Sequence, residues 1–314
     1  MANKTERLPV IPYGTIPNIL LLGNGINKAF GKSSWDDLIN EMATEMFTDK
    51  EKKCIETMPY PLRPVIVTND QVDRQLDKIS SKMAVTDLEP QQAELIRELV
   101  SLNFDGILTT NYTYEIETAI DENFYCKPKS ACKNRKYVAE VTSSDKQFGL
   151  QRCMKLSDAE GERYIWHIHG EAALPKTMIL GHYYYGKLLS KIQQYIKDFK
   201  KRYEGCNRHE KDFQPQSWID YFLIGNVYIV GFGLDLAEMD LWWLLNCKKR
   251  NCQNQSKVFF FEPNMEDEGK YTKKMLAKAY GVEIITKNVQ SDYQKYYQDA
   301  VEEVKNQLFS KVES

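Results

Sequence analysis

The sequence predicts an α/β fold built on a doubly wound, mainly parallel sheet, and three observations carry the prediction. Six short apolar runs, at 19–22, 106–109, 164–168, 227–231, 257–261 and 282–285, have the length and composition of strands. Amphipathic stretches separate most of them, and crossover helices of that kind are what bury both faces of a parallel sheet. Two of the runs, NILLLGNG and VYIVGFG, pass directly into a glycine turn, as strands of such sheets do where they feed the next helix.

The first run, within NILLLGNGINKAF at 18–30, reads as a buried strand, a glycine turn and a helix entry. From Trp35 to about Leu102 the pattern is helical, with apolar residues at helical spacing in WDDLINEMATEMF and QQAELIRELVSL and a break at PYPLRP, 59–64. This stretch is too long for one crossover and is expected to form a helical module beside the sheet, at about 35–102. FDGILTTN is a short strand ending in a polar loop, and YEIETAI starts a helix. Residues at about 123–160 form a polar insertion with five basic residues between Lys127 and Lys136, read as a solvated loop or ribbon. YIWHIHG is the next strand, followed by MILG and an amphipathic helix from about Lys187 to Tyr203. WIDYFLIG is a helix, NVYIVGFG a buried strand and AEMDLWWLL a helix. SKVFFFEPN and GVEIIT are strands separated by the helix KKMLAKAYG, and DYQKYYQDAVEEVKNQLF closes the chain as a helix.

The whole of 1–314 is read as a single domain. Its composition, 42% hydrophobic and 27% charged, is that of a globular protein with a sizeable core. A formal net charge of −2 gives no global attraction to nucleic acid or to an anionic membrane, so neither is expected as a partner. No apolar run reaches the roughly 20 residues a membrane helix needs, and the polar, proline-punctuated N-terminus has no signal-peptide core, so a cytoplasmic protein is expected. The seven cysteines form no CxxC pair, which argues against a zinc ribbon and against a disulfide framework.

Candidate chemistry lies at strand ends, where open α/β sheets bind ligands. The turn Gly23-Asn24-Gly25 would let a pyrophosphate approach the backbone; a tight turn without a ligand is an equal reading, because Lys28 stands where a third glycine would complete the fingerprint. Asn111 ends the strand ILTTN and can orient a water or a ribose hydroxyl, or cap the helix that follows. His169 ends IWHIHG beside Gly170 in the position of a general base, with His167 two residues deeper as a packed core histidine. A metal site on His167, His169 and His182 would need three rings to converge and is not expected. Gly231 and Gly233 form the second glycine turn. Glu262 and Asn264 end FFFEPN where an adenosine ribose would lie. The aromatic run at 183–186 is read as packing or a lid.

Taken in order, the glycine turn, TxN at a strand end, HG at a strand end, a second glycine turn and a strand ending in Asn resemble the sirtuin family. The closer resemblance is to the bacterial sirtuin-like branch of NAD-cleaving antiphage effectors, typified by the Thoeris effector. The residues that carry it are Gly23, Asn24, Gly25 and Asn27 in GNGIN, the SSWDDLI segment, Asn111 in TTNYT, His169 in HIHG, and Gly231 and Gly233 in VGFGLDLAEMD. The resemblance implies a Rossmann-like, sirtuin-like sheet and a catalytic pair, Asn111 and His169. It also implies an NAD-binding surface that includes Thr110 and Phe232. NAD is then a substrate, with nicotinamide and ADP-ribose as products. Two departures bear on the activity: the paired-CxxC zinc module of protein-deacylating sirtuins is missing from the sequence, so no zinc is expected, and Thr113 replaces the aspartate of their loop. The alternatives are protein deacylation, ADP-ribosyl transfer, or NAD sensing without turnover. An effector of this kind needs a switch, so the resemblance also implies a homo-oligomer or a separate partner such as a HerA-type ATPase.

Overall fold

A computed structural model describes residues 7–32, 35–44, 46–69, 71–83, 88–121, 124, 137–139, 149–158, 161–251, 256–264, 268–289 and 292–309. In chain order the elements are β1 (Asn18–Leu22), α1 (Gly25–Ala29), α2 (Trp35–Thr44), α3 (Asp49–Glu56), α4 (Arg63–Val67), α5 (Val72–Met83), α6 (Pro90–Val100), β2 (Gly106–Thr109) and α7 (Glu115–Ile120). Then follow β3 (Tyr137–Ala139), β4 (Cys153–Asp158), β5 (Gly161–His167), α8 (His182–Arg208), α9 (Trp218–Ile224), β6 (Asn226–Val230) and α10 (Met239–Asn251). The last elements are β7 (Val258–Asn264), α11 (Glu268–Ala279), β8 (Val282–Asn288) and α12 (Tyr293–Phe309).

The strands form one sheet in the order β3-β4-β5-β2-β1-β6-β7-β8. All six strands read from the sequence are present, and they pair in parallel from β5 through β8. Numbered among themselves they run 3-2-1-4-5-6, the order of doubly wound dinucleotide-binding sheets. The order in which strands are added changes side between β1 and β6, so the crevice lies where the two glycine turns emerge. The strands are apolar on both faces because both faces are covered. Ile19, Leu21, Val227, Ile229 and Phe260 pack into one buried cluster, and Leu20, Leu22, Tyr228, Val230 and Phe259 into the other.

The helical stretch at 35–102 divides across the sheet. Leu38, Ile39 and Met42 of α2, Ile55 of α3, Val67 of α4 and Leu76 and Ile79 of α5 bury into the first cluster, whereas Leu95, Ile96 and Leu99 of α6 bury into the second, with α7 and α12. The helix read from about Lys187 to Tyr203 extends in both directions, to His182 and Arg208. Within the insertion at 123–160, β4 pairs antiparallel with β5, and β3 with β4, extending the sheet at that edge. The basic stretch 127–136 lies outside the described residues. No helix among the described residues is long and apolar enough to cross a membrane.

One buried cation ties the crossovers together. Lys248 of α10 is 5% exposed, and its Nζ donates to the carbonyls of Phe222, Leu223 and Gly225 at 3.1, 3.0 and 2.6 Å and meets Ser256 Oγ at 2.8 Å. These are carbonyls at the end of α9, where a helix leaves acceptors unfilled and its dipole favours positive charge. Lys248→Met keeps the aliphatic stem and removes the donor. It is expected to lower stability by about 3 kcal/mol, since charged hydrogen bonds contribute about 1.5–3 kcal/mol each and the buried carbonyls go unpaired. The shift in urea midpoint at constant m-value measures this.

Candidate active site

Of the residues singled out in the sequence, Asn24, Gly25, Asn27, Thr110, Asn111, His169, Gly231, Phe232, Gly233 and Glu262 line one cavity of about 740 Å³ at the carboxyl ends of the parallel strands. Gly23 is behind its wall, and Asn264 ends β7 with a side chain outside the described residues.

The two glycine turns fit against each other. Gly23 N donates to Val230 O at 3.0 Å and Gly25 N to Gly231 O at 2.6 Å. A Cβ on Gly25 would lie 2.7 Å from Gly231 O and also meet the Tyr297 hydroxyl. The glycines therefore allow turn-to-turn packing, and these two N–H groups are already engaged by protein rather than turned to a phosphate. Asn27, 3% exposed, donates to Asn24 Oδ1 at 2.7 Å and accepts from Gln92 Nε2 at 2.8 Å. It holds Asn24 on the cavity wall. Gln92 of α6, fully buried, was invisible as a site residue in the sequence.

Asn111 follows β2. Its backbone N donates to Thr109 Oγ1 at 3.1 Å, and its carbonyl accepts from His167 Nδ1 at 2.7 Å. The other His167 nitrogen, Nε2, meets Glu117 Oε1 at 2.8 Å. Both ring nitrogens are thus consumed in the core, and His182 is exposed at the start of α8, so the three histidines of 167–182 do not converge. Burial pulls His167 down, but the facing Glu117, with Glu171 and the Asn111 carbonyl, outweighs it and holds the imidazole at about 9.

His169 is 2% exposed and reaches the cavity from the far end of β5. Gly170 makes the turn: its φ is +93°, and a Cβ would lie 2.7 Å from Met178 Cα and collide with the Thr177 carbonyl. His169 Nε2 donates to Asp240 Oδ2 at 2.9 Å, so Nδ1 is the ring nitrogen left for a ligand. Tyr185 of α8 stands edge-on to the ring, with centroids 5.4 Å apart, and its hydroxyl points to Glu238 Oε2 at 3.4 Å. Of the aromatic run at 183–186, Tyr185 therefore lines the site. Burial lowers the His169 imidazole, while Asp240 and Glu238 raise it further, and the net shift is upward. Burial pushes the Glu238 carboxyl up to about 7, opposed by His169 and reinforced by Asp240 and Asp235.

Two more carboxylates complete the wall. Thr113 donates to Glu115, which lines the cavity. Glu262, at the end of β7, pairs with Lys273 of α11, and Lys273 also donates to Gly233 O at 2.7 Å. That link ties the β7 end to the second glycine turn. Asp240 and Glu238 were missed in the sequence, although an acid between Met239 and Leu241 in an otherwise apolar run is the kind of buried charge that demands a partner.

A comparison with curated proteins returns no match. A family model described as SIR2-like domain matches residues 105–285, more than half of the chain, covering every strand from β2 to β7 and the first part of β8. SIR2-like domains are typically NAD-dependent enzymes, and the strand order and crevice found here are those of a dinucleotide-binding sheet. On its matched sequence and its fold, the chain belongs to the SIR2-like domain family.

Proposed function

We propose that this protein is an NAD glycohydrolase, cleaving the bond between nicotinamide and ribose to give nicotinamide and ADP-ribose. The observation that supports it best is the convergence of Asn111 and His169, from the ends of β2 and β5, on one cavity beside the β1–β6 crevice. A cavity of about 740 Å³ is in the range that encloses a dinucleotide-sized ligand.

Nicotinamide is a good leaving group because departure neutralises its ring, so the transition state carries oxocarbenium character on the ribose. The protein has to hold the ribose, limit access of bulk water and position one water on the face opposite the leaving group. The Asn111 amide, with a donor and an acceptor, orients that water and a ribose hydroxyl. His169 takes a proton through Nδ1 while Asp240 stabilises the resulting imidazolium at Nε2. Asn24, Thr110 and the turn at 231–233 flank the dinucleotide, and Glu262 faces the adenosine ribose. The resemblance of GNGIN, TTNYT and HIHG to defence effectors supports NAD depletion as the purpose of the reaction, controlled by self-assembly or by an ATPase partner of the HerA type.

Purified protein incubated with NAD is expected to release nicotinamide and free ADP-ribose in equal amounts, followed by chromatography. Asn111→Ala and His169→Ala are each expected to reduce turnover by at least about 10²-fold, the low end of what a positioned base contributes. Nicotinamide without free ADP-ribose would point to transfer onto an acceptor instead. Equal turnover in wild type and His169→Ala would remove His169 from the mechanism.

A further inference from the structure

His169 and Glu238, which line the cavity, and Asp240 behind them bring one imidazole nitrogen and two carboxylate oxygens within 4.8 Å of one another. The carboxylate of Asp240 supplies a second observation. Asp240 is fully buried, Oδ2 faces His169 Nε2, and Oδ1 of the same carboxylate has no hydrogen-bond partner among the described residues. A buried carboxylate oxygen left without a donor is costly, and a cation held by both oxygens of Asp240 would satisfy it.

We propose that His169 Nε2, Glu238 and Asp240 bind a divalent transition-metal ion of the zinc class, the ion taking the place of the Nε2 proton, which leaves to solvent. One nitrogen and two carboxylates are a borderline donor set that suits zinc better than magnesium, which favours an all-oxygen shell. Three protein ligands also leave a fourth position for a water. Metal bonds of about 2.0–2.2 Å place tetrahedral ligand atoms roughly 3.3 Å apart. The 2.9 Å contact between Nε2 and Oδ2 needs only to open slightly. Glu238 is half-buried, and its contact with the Tyr185 hydroxyl is a long 3.4 Å, so its carboxylate can swing inward.

The consequence for the reaction follows from tautomerism. A neutral imidazole with a metal on Nε2 carries its remaining proton on Nδ1. The nitrogen that accepts a proton in the apo site becomes a donor, and the base is lost while the dinucleotide pocket stays open. Zinc should therefore lower kcat and leave KM nearly unchanged. This consequence rests on the NAD-cleavage reading; the metal site does not.

The test is calorimetric titration of the full chain with zinc chloride, beside Glu238→Gln and Asp240→Asn, together with the absorption spectrum of the cobalt-substituted wild type. One ion per chain is expected, bound at least about 10-fold more weakly by each variant. The cobalt spectrum should show ligand-field bands of nitrogen and oxygen ligation without a near-ultraviolet thiolate band. Unchanged affinity in both variants, no saturable binding, or a thiolate band placing the ion on cysteine would each overturn the site. The cobalt spectrum decides the matter on wild-type protein even where a variant does not fold. In the turnover assay, zinc should lower kcat reversibly to EDTA; zinc bound with kcat unchanged would overturn the inhibitory role. A wild type that binds zinc but never cleaves NAD would leave the site standing and sink the hydrolase reading alone.

Discussion

Asp240→Asn is expected to lower kcat for NAD cleavage by about 10²–10⁴-fold with little change in KM, although Asp240 lies behind His169 rather than in the substrate's path. The carboxylate accepts from His169 Nε2, which fixes the tautomer with its lone pair on Nδ1. An asparagine in its place can present its NH₂ to Nε2, forcing the proton onto Nδ1 and turning the base into a donor. A pH profile separates this positioning role from general loss of structure. Asp240 and Glu238 hold the His169 imidazole above its usual value. Without the Asp240 charge, the limb of the profile that reports deprotonation of this base should move to lower pH. An unmoved limb with reduced kcat would mean that Asp240 acts only by packing.

The contrast between Asp240 and Asn111 explains what the sequence made legible. Asn111, His169 and the two glycine turns announce themselves because each ends an apolar strand, and the ends of parallel strands necessarily gather along one edge of the sheet. The same logic made the six parallel strands readable, since burial on both faces writes a continuous apolar run into each. Asp240, Glu238, Gln92 and Lys273 carry no such local signal. Asp240 meets His169 across 71 residues and Gln92 meets Asn27 across 65, so their roles exist only once α10 and α6 have docked. The helices of 35–102 illustrate a related gap. Amphipathic spacing shows that each has a buried stripe, but not which face of the sheet receives it, and α6 goes to the face opposite α2–α5.

His167, two residues from His169 and on the same strand, is expected to govern stability rather than turnover. Its two partners are a backbone carbonyl and a carboxylate, both acceptors, so only the doubly protonated ring donates to both. In the unfolded chain its pKa is about 6.5; in the folded protein Glu117 and its neighbours, acting against burial, hold it at about 9. Because the folded value is the higher one, the contribution is complete below about pH 6.5, shrinks through the window between the two values, and is gone above about 9. Its size is on the order of 3 kcal/mol. Urea denaturation of wild type and His167→Gln should therefore show a large stability gap at pH 6 that narrows by that order by pH 9.5, other titrating groups cancelling between the two proteins. A gap that stays constant across the range would mean that the ring does not titrate there. The effect also reaches the site, because the bond that weakens with rising pH is the one from His167 Nδ1 to the Asn111 carbonyl. The charge that stabilises the core is the same charge that fixes the backbone from which the Asn111 amide enters the cavity.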